Sequence, residues 1–113
     1  MVDLIEFGDF TKVEMRIGTI ISAEINKKAR KPAYSMRIDF GNEVGIKSTS
    51  AQITKEHSLE DLINTQVIAV TNFSPKKVAD IISEVLVLAV VEGTGRTVLL
   101  GPIKSVSNGS RVL

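Results

Sequence analysis

The chain has 113 residues, no cysteine, a single histidine and a net charge of +1. Without cysteine there can be no disulfide, thiolate metal site or cysteine nucleophile, and His57 alone cannot supply a two- or three-histidine zinc set. With 43% hydrophobic and 24% charged residues, the composition is that of a globular chain able to close one core, not of a disordered tail. The amino-terminal stretch Met1-Val2-Asp3-Leu4-Ile5-Glu6 lacks the basic region and long apolar core of a secretory leader. The longest apolar run, Val85 to Val91, is too short to cross a bilayer, so no membrane insertion is expected and a reducing cytoplasm suits the chain.

From Val13 to Ile25 apolar residues recur at the odd positions (Val13, Met15, Ile17, Ile21, Ala23, Ile25), the period-two pattern of a half-buried strand. Gly18 lies in its middle, where a missing side chain permits the coiling a closing barrel needs. Met36, Ile38 and Phe40 alternate with Arg37 and Asp39 in a second strand, and Gly41-Asn42 is expected to turn the chain into a third around Val44 to Lys47. Ser58, with Asp61 three residues on, marks the start of one short helix. His57 just before it is expected to be an exposed helix-entry residue. Val67 to Phe73 and Val85 to Val91 lack polar alternation and predict strands covered on both sides. Gly93-Thr94-Gly95 then predicts a hairpin leading into Thr97 to Leu100. Five or six strands, one short helix and no βαβ alternation favour an all-β fold over an α/β sheet. The expected architecture is a five-stranded OB-fold barrel with a short helix and amino- and carboxy-terminal extensions.

Charge is unevenly spread. From Lys27 to Lys55 seven basic residues face two acidic ones, so this segment carries +5 and the rest of the chain −4. A nearly neutral protein can thus present a local potential that attracts phosphates. The run Lys27-Lys28-Ala29-Arg30-Lys31-Pro32-Ala33-Tyr34 joins four cations to one aromatic ring, with Pro32 limiting the loop's freedom. Two further polar runs, Lys47-Ser48-Thr49-Ser50-Ala51-Gln52 and Asn72-Phe73-Ser74-Pro75-Lys76-Lys77, are expected to follow the third and fourth strands. Ammonium and guanidinium groups meet phosphates, while the neutral groups of Ser50, Gln52 and Asn72 suit the reading of shape and base edges. Each run taken alone also fits a solubilising loop or a turn. At Ser83-Glu84 a carboxylate beside a hydroxyl can order neighbouring amides by accepting their hydrogens. The lone pair Gly93-x-Gly95 has neither a following helix nor a lysine-serine phosphate signature, and no Gly-x-Ser-x-Gly elbow accompanies His57. Neither an enzyme nor a cofactor is therefore expected.

The runs Ala29 to Tyr34, Asp39-Phe40-Gly41, Gly45 to Thr54, Asn72 to Lys77 and Ser83 to Leu88 together resemble the CsaA branch of the tRNA-binding-domain family, from about Phe10 to Asn108-Gly109. The resemblance implies a single domain over residues 1–113 with its core at about 10–109. It also implies an RNA-facing set comprising Lys27, Lys28, Arg30, Lys31, Lys47, Ser48, Ser50, Gln52, Asn72, Lys76, Lys77, Ser83 and Glu84, to which Tyr34 is added as the aromatic of the basic loop. Three positions depart from the family pattern: Ser74 replaces a common proline, Asp80 a usual glycine and Ala89 another glycine.

What the resemblance implies about activity is non-catalytic binding of tRNA or another structured RNA, with an export-chaperone role toward unfolded clients. Alternatives are a stand-alone tRNA-binding subunit related to methionyl-tRNA synthetase, working beside a synthetase, and a secretion chaperone that binds only peptides. A homodimer is also implied, and a twofold axis would present the basic loop twice to one RNA. Its candidate interface is formed by Val2, Leu4, Ile5, Phe7 and Phe10, too apolar for a free tail, with Ile103, Val112 and Leu113 at the other end.

Overall fold

The computed structural model describes residues 2–78 and 80–113. Its centre is an eleven-residue strand, Met15–Ile25 (β1), long enough to pair with different partners along its length. The amino-terminal half of β1 pairs antiparallel with Gln66–Val70 (β4), and the carboxy-terminal half with Tyr34–Asp39 (β2). Ile46–Ala51 (β3) pairs with β2, and Leu86–Val87 (β7) with β4, which gives a five-stranded antiparallel sheet in the order β3-β2-β1-β4-β7. The sheet curls until its two edges meet. Glu84 N–H donates to the Ser48 carbonyl at 2.8 Å, and the buried Thr49 hydroxyl donates to the Val85 carbonyl at the same distance. The result is a nearly closed five-stranded barrel of the OB type.

Two small hairpins project from it: Lys76–Val78 (β5) with Ile81–Ser83 (β6), and Ala89–Val91 (β8) with Thr97–Leu99 (β9). Three single-turn helices, Phe7–Thr11 (α1), Gly41–Val44 (α2) and Leu59–Leu62 (α3), complete the described elements. Ser58 caps α3 by accepting the Asp61 N–H, as its spacing predicts. The core is built from Ile20, Tyr34, Met36, Ile38, Phe40, Ile53, Leu62, Val67, Ala69, Val85 and Val87.

Several expectations need correction. A bulge at Ile21, between the Ile20–Ile38 and Ser22–Arg37 pairs, switches the inward face of β1. Gly18 and Ile20 point inward before it and Ala23 packs on the core after it, so Ile21 is exposed; Ile25, the last residue of the strand, is exposed as well. A β-carbon on Gly18 would lie 2.6 Å from the Ile38 side chain and 2.7 Å from the Phe40 ring. The glycine is there to admit Phe40, and coiling is not its main service. Residues 41–44 form the turn of α2 in place of a two-residue hairpin, so the third strand starts later than expected and runs on through Ser48 to Ala51. The run from Val85 to Val91 is broken at Leu88 into β7 and β8; Val90 and Val91 are exposed because β8 leaves the barrel to form a separate ribbon, and Leu86 is exposed on the outer face of β7. His57 is half-buried: its Nε2 accepts the Leu99 N–H at 3.2 Å and its carbonyl accepts the Tyr34 hydroxyl at 2.8 Å.

The carboxy-terminal segment lies along the part of β1 that β2 leaves free. Gly109 N–H donates to Ile17 O, Ile17 N–H to Ser110 O, and Val112 N–H to Met15 O, at 2.7 to 2.9 Å. Gly109 has φ near +90°, and a β-carbon there would meet the Phe40 carbonyl at 2.5 Å. Arg16 fastens the strap further by donating to the Gly109 carbonyl at 2.8 Å and to Glu14 at 2.7 Å. That second bond is the main reason the Glu14 carboxyl is held below its ordinary pKa.

Candidate nucleic-acid interface

Loop 26–33 joins β1 to β2 and holds Lys27, Lys28, Arg30 and Lys31 exposed at one end of the barrel. Its anchor is Asn26, a buried residue that no pattern in the sequence singles out. Asn26 N–H donates to the Ala33 carbonyl, its side-chain oxygen accepts the Lys28 N–H, and its side-chain nitrogen lies 3.5 Å from the Ser50 hydroxyl. The basic loop is thereby tied to the carboxy-terminal half of β3. Between them runs a groove of 520 Å³ lined by Lys28, Arg30, Lys31, Ser50 and Gln52.

The β5–β6 hairpin approaches the same strand from the other side. The Ser48 hydroxyl donates to the Ile82 carbonyl at 2.7 Å, and Glu84 Oε1 accepts both the Ser48 N–H and, at 3.1 Å, its hydroxyl. Lys47 Nζ lies 3.8 Å from the other oxygen of Glu84. The Ser83 hydroxyl lies 3.1 Å from that of Thr49. Ser83 and Glu84 thus order a neighbouring segment by accepting and sharing hydrogens, with the difference that the segment is a strand and not a loop. Hairpin and basic loop are bridged by Asp80, whose carboxylate lies 2.6 Å from Lys28 Nζ and 3.7 Å from Lys77 Nζ. A second groove, of 600 Å³, opens on this side between Ser50, Phe73, Lys76, Ser83 and Leu86. Ser50 therefore sits where the walls formed by loop, strand and hairpin meet, and Gln52 lies on the loop side.

Two residues expected at this surface are engaged elsewhere. Tyr34 is only 7% exposed, and its ring packs in the core with its hydroxyl on His57, so its face is not available for stacking. Asn72 accepts the Glu14 N–H at 2.9 Å and donates to the Lys12 carbonyl at 2.8 Å, which clamps the entry to β1. Phe73, next to it, is the exposed aromatic of the groove; the signal was an aromatic inside a Pro-containing polar turn. No group of three metal-binding side chains occurs among the described residues, and no helix among them is long and apolar enough to cross a membrane.

An OB-type barrel whose rim gathers cations from two loops around one polar strand belongs to the class of oligonucleotide-binding barrels. Residues 15–111 match the family described as "Putative tRNA binding domain". The CsaA chaperone of Bacillus anthracis has the same fold with a TM-score of 0.92 and 49% identity, over 98% of this chain and all of that one. The CsaA chaperone of Picrophilus torridus matches with a TM-score of 0.90 and 43% identity, over 97% and 100%. A methionine–tRNA ligase of Methanococcoides burtonii is 39% identical over 108 residues, 96% of this chain, but the chain spans only 16% of that protein's length. The chain belongs to the tRNA-binding-domain family, and within it is CsaA-like.

Proposed function

We propose that the chain binds tRNA without acting on it chemically, through the rim formed by loop 26–33, the end of β3 and the β5–β6 hairpin. The observation that carries this reading is that Ser50 of β3 lines two adjoining grooves, one walled by Lys28, Arg30 and Lys31 of loop 26–33 and the other by Lys76 of the β5–β6 hairpin. Cations supply affinity through counterion release, and the neutral groups between them can engage ribose and base edges. A binding titration over a range of salt against tRNA, duplex RNA and an unfolded polypeptide tests it. The expected result is preference for tRNA with a steep salt slope, and the slope should flatten when Lys27, Lys28, Arg30 and Lys31 are all replaced by alanine. A slope unchanged in that variant refutes the assignment of the loop.

The working form in this reading is a homodimer in a cytoplasmic setting. Val2, Leu4, Ile5 and Phe7 at one end and Ile103 and Leu113 at the other are strongly exposed on the single chain, which leaves them free to be covered by a second copy. Phe10 and Val112 are half-buried and contribute less. Light scattering at low micromolar concentration decides the point, since a monomer mass would refute it. The likeness to chaperones named CsaA favours a second reading, in which exposed apolar surface holds unfolded export clients. The unfolded-polypeptide arm of the titration tests that reading directly. The likeness to part of a methionine–tRNA ligase raises a synthetase as a partner, which co-purification would reveal.

A further inference from the structure

We propose that Phe73 is a stacking platform for one unpaired nucleobase, so that the rim selects RNA with a splayed-out nucleotide over uninterrupted duplex; this rests on the tRNA-binding reading and names what the 600 Å³ groove takes. Of the chain's five aromatic residues, Tyr34 and Phe40 are buried, and Phe7 and Phe10 pair with each other in α1 with ring centres 6.0 Å apart. Phe73 is 57% exposed and lines the groove. The neighbouring Asn72 is tethered through its side chain to Lys12 and Glu14, and Pro75 two residues on restricts the turn, so the segment that carries the ring is constrained on both sides.

The other walls fit a nucleotide. Leu86 and the buried Val85 offer an apolar surface, while the Ser50 and Ser83 hydroxyls can meet polar edges of a base. The Glu84 carboxylate is occupied by Ser48 and lies beside Lys47, which blunts its repulsion of an anion. Lys76, three residues after Phe73, is exposed and has no ion-pair partner among the described residues, so its ammonium is placed for the phosphate of the stacked nucleotide. An aromatic face stacks only on a base whose own face is free, and a groove of this size admits a single base but not the end of a duplex, which is why the occupant is an unpaired nucleotide. The Lys76 cation at the mouth favours this anionic ligand over an apolar peptide side chain.

The chain contains no tryptophan, so Phe73→Trp places a single reporter in the groove. Titration of that variant with tRNA and with a six-residue oligoadenylate should quench its emission, whereas a blunt RNA duplex should not. Phe73→Leu, which keeps apolar contact but loses the ring, should weaken tRNA binding about ten- to hundred-fold. The salt slope should stay unchanged, because stacking releases no counterions. Phe73→Tyr should retain binding. Undiminished tRNA affinity in Phe73→Leu, unquenched Trp emission while tRNA binds, or a response to unfolded polypeptide but not to oligoadenylate would each overturn the proposal and leave the tRNA reading standing. So would a Phe73→Leu chain whose mass by light scattering falls below that of the parent, since the ring would then be an interface residue. Failure of the unaltered chain to bind tRNA at low salt would refute the underlying reading instead.

Discussion

Lys28 Nζ and the Asp80 carboxylate lie 2.6 Å apart, joining the basic loop to the β5–β6 hairpin across the rim. Both side chains are more than half exposed, so the pair contributes little to folding, and an incoming phosphate can take the carboxylate's place on Lys28. Asp80 therefore acts as an internal competitor for the cations the RNA needs. Its φ of +68° lies in the left-handed region, which Asn and Gly also accept. Asp80→Asn should keep the turn while raising tRNA affinity, and should steepen the salt slope by up to about 0.7 to 0.9 for each further phosphate neutralised. Titrations of parent and variant over the same salt range check it; equal slopes and affinities would show that Asp80 does not compete.

Asn72 bonds to two backbone groups, at Lys12 and Glu14, which makes it a brace for the entry to β1. Asn72→Ala should lower unfolding free energy by about 1 kcal/mol for each net bond lost. It should weaken binding of tRNA and other RNAs to the same extent. Urea unfolding with parallel binding assays separates this from base reading, in which preference would change while the unfolding midpoint held.

Gly18 faces Ile38 and the fully buried Phe40 with no room for a methyl group. Gly18→Ala should cost about 1–3 kcal/mol by overpacking, seen as a fall of several degrees in Tm. A variant as stable as the parent would mean that Phe40 can repack, against the close fit described.

Glu14 sets an acid limit on stability. Its carboxyl is held low, first by the hydrogen bond from Arg16, so the folded state binds the Glu14 proton less tightly than the unfolded chain does. The stabilisation is fully present above the unfolded-state pKa and is lost as pH falls through the lower folded value. Urea midpoints measured from neutral pH down through the acid range should drop more steeply for the parent than for Glu14→Gln. Parallel curves would place the acid sensitivity elsewhere.

The strands were legible where local patterns are strong, clearest in Met36-Ile38-Phe40 of the barrel and in the separate Gly93–Gly95 hairpin. What misled was tertiary. A bulge at Ile21 reverses which residues of β1 face inward, and no local pattern marks it. The break at Leu88 arises because β8 pairs with β9 and not with the barrel. In the rim, the cations of loop 26–33 were evident from charge alone, whereas the commitments of Tyr34 and Asn72 depend on partners 23 and 58–60 residues away. The glycine usual in the family at position 80 has its explanation in the positive φ that Asp80 adopts there.

The strap at residues 109–112 occupies an edge that would otherwise be a template. The start of β1 turns a row of amides and carbonyls away from β4, and such a row accepts any extended chain that reaches it, including the same strand of another molecule. By laying its own end across Met15 to Ile17, the chain takes the place that a stray strand would fill. Whatever this protein meets through its rim, it meets with that side of the sheet already spoken for, so that contact is steered toward the loops and away from open-ended strand addition.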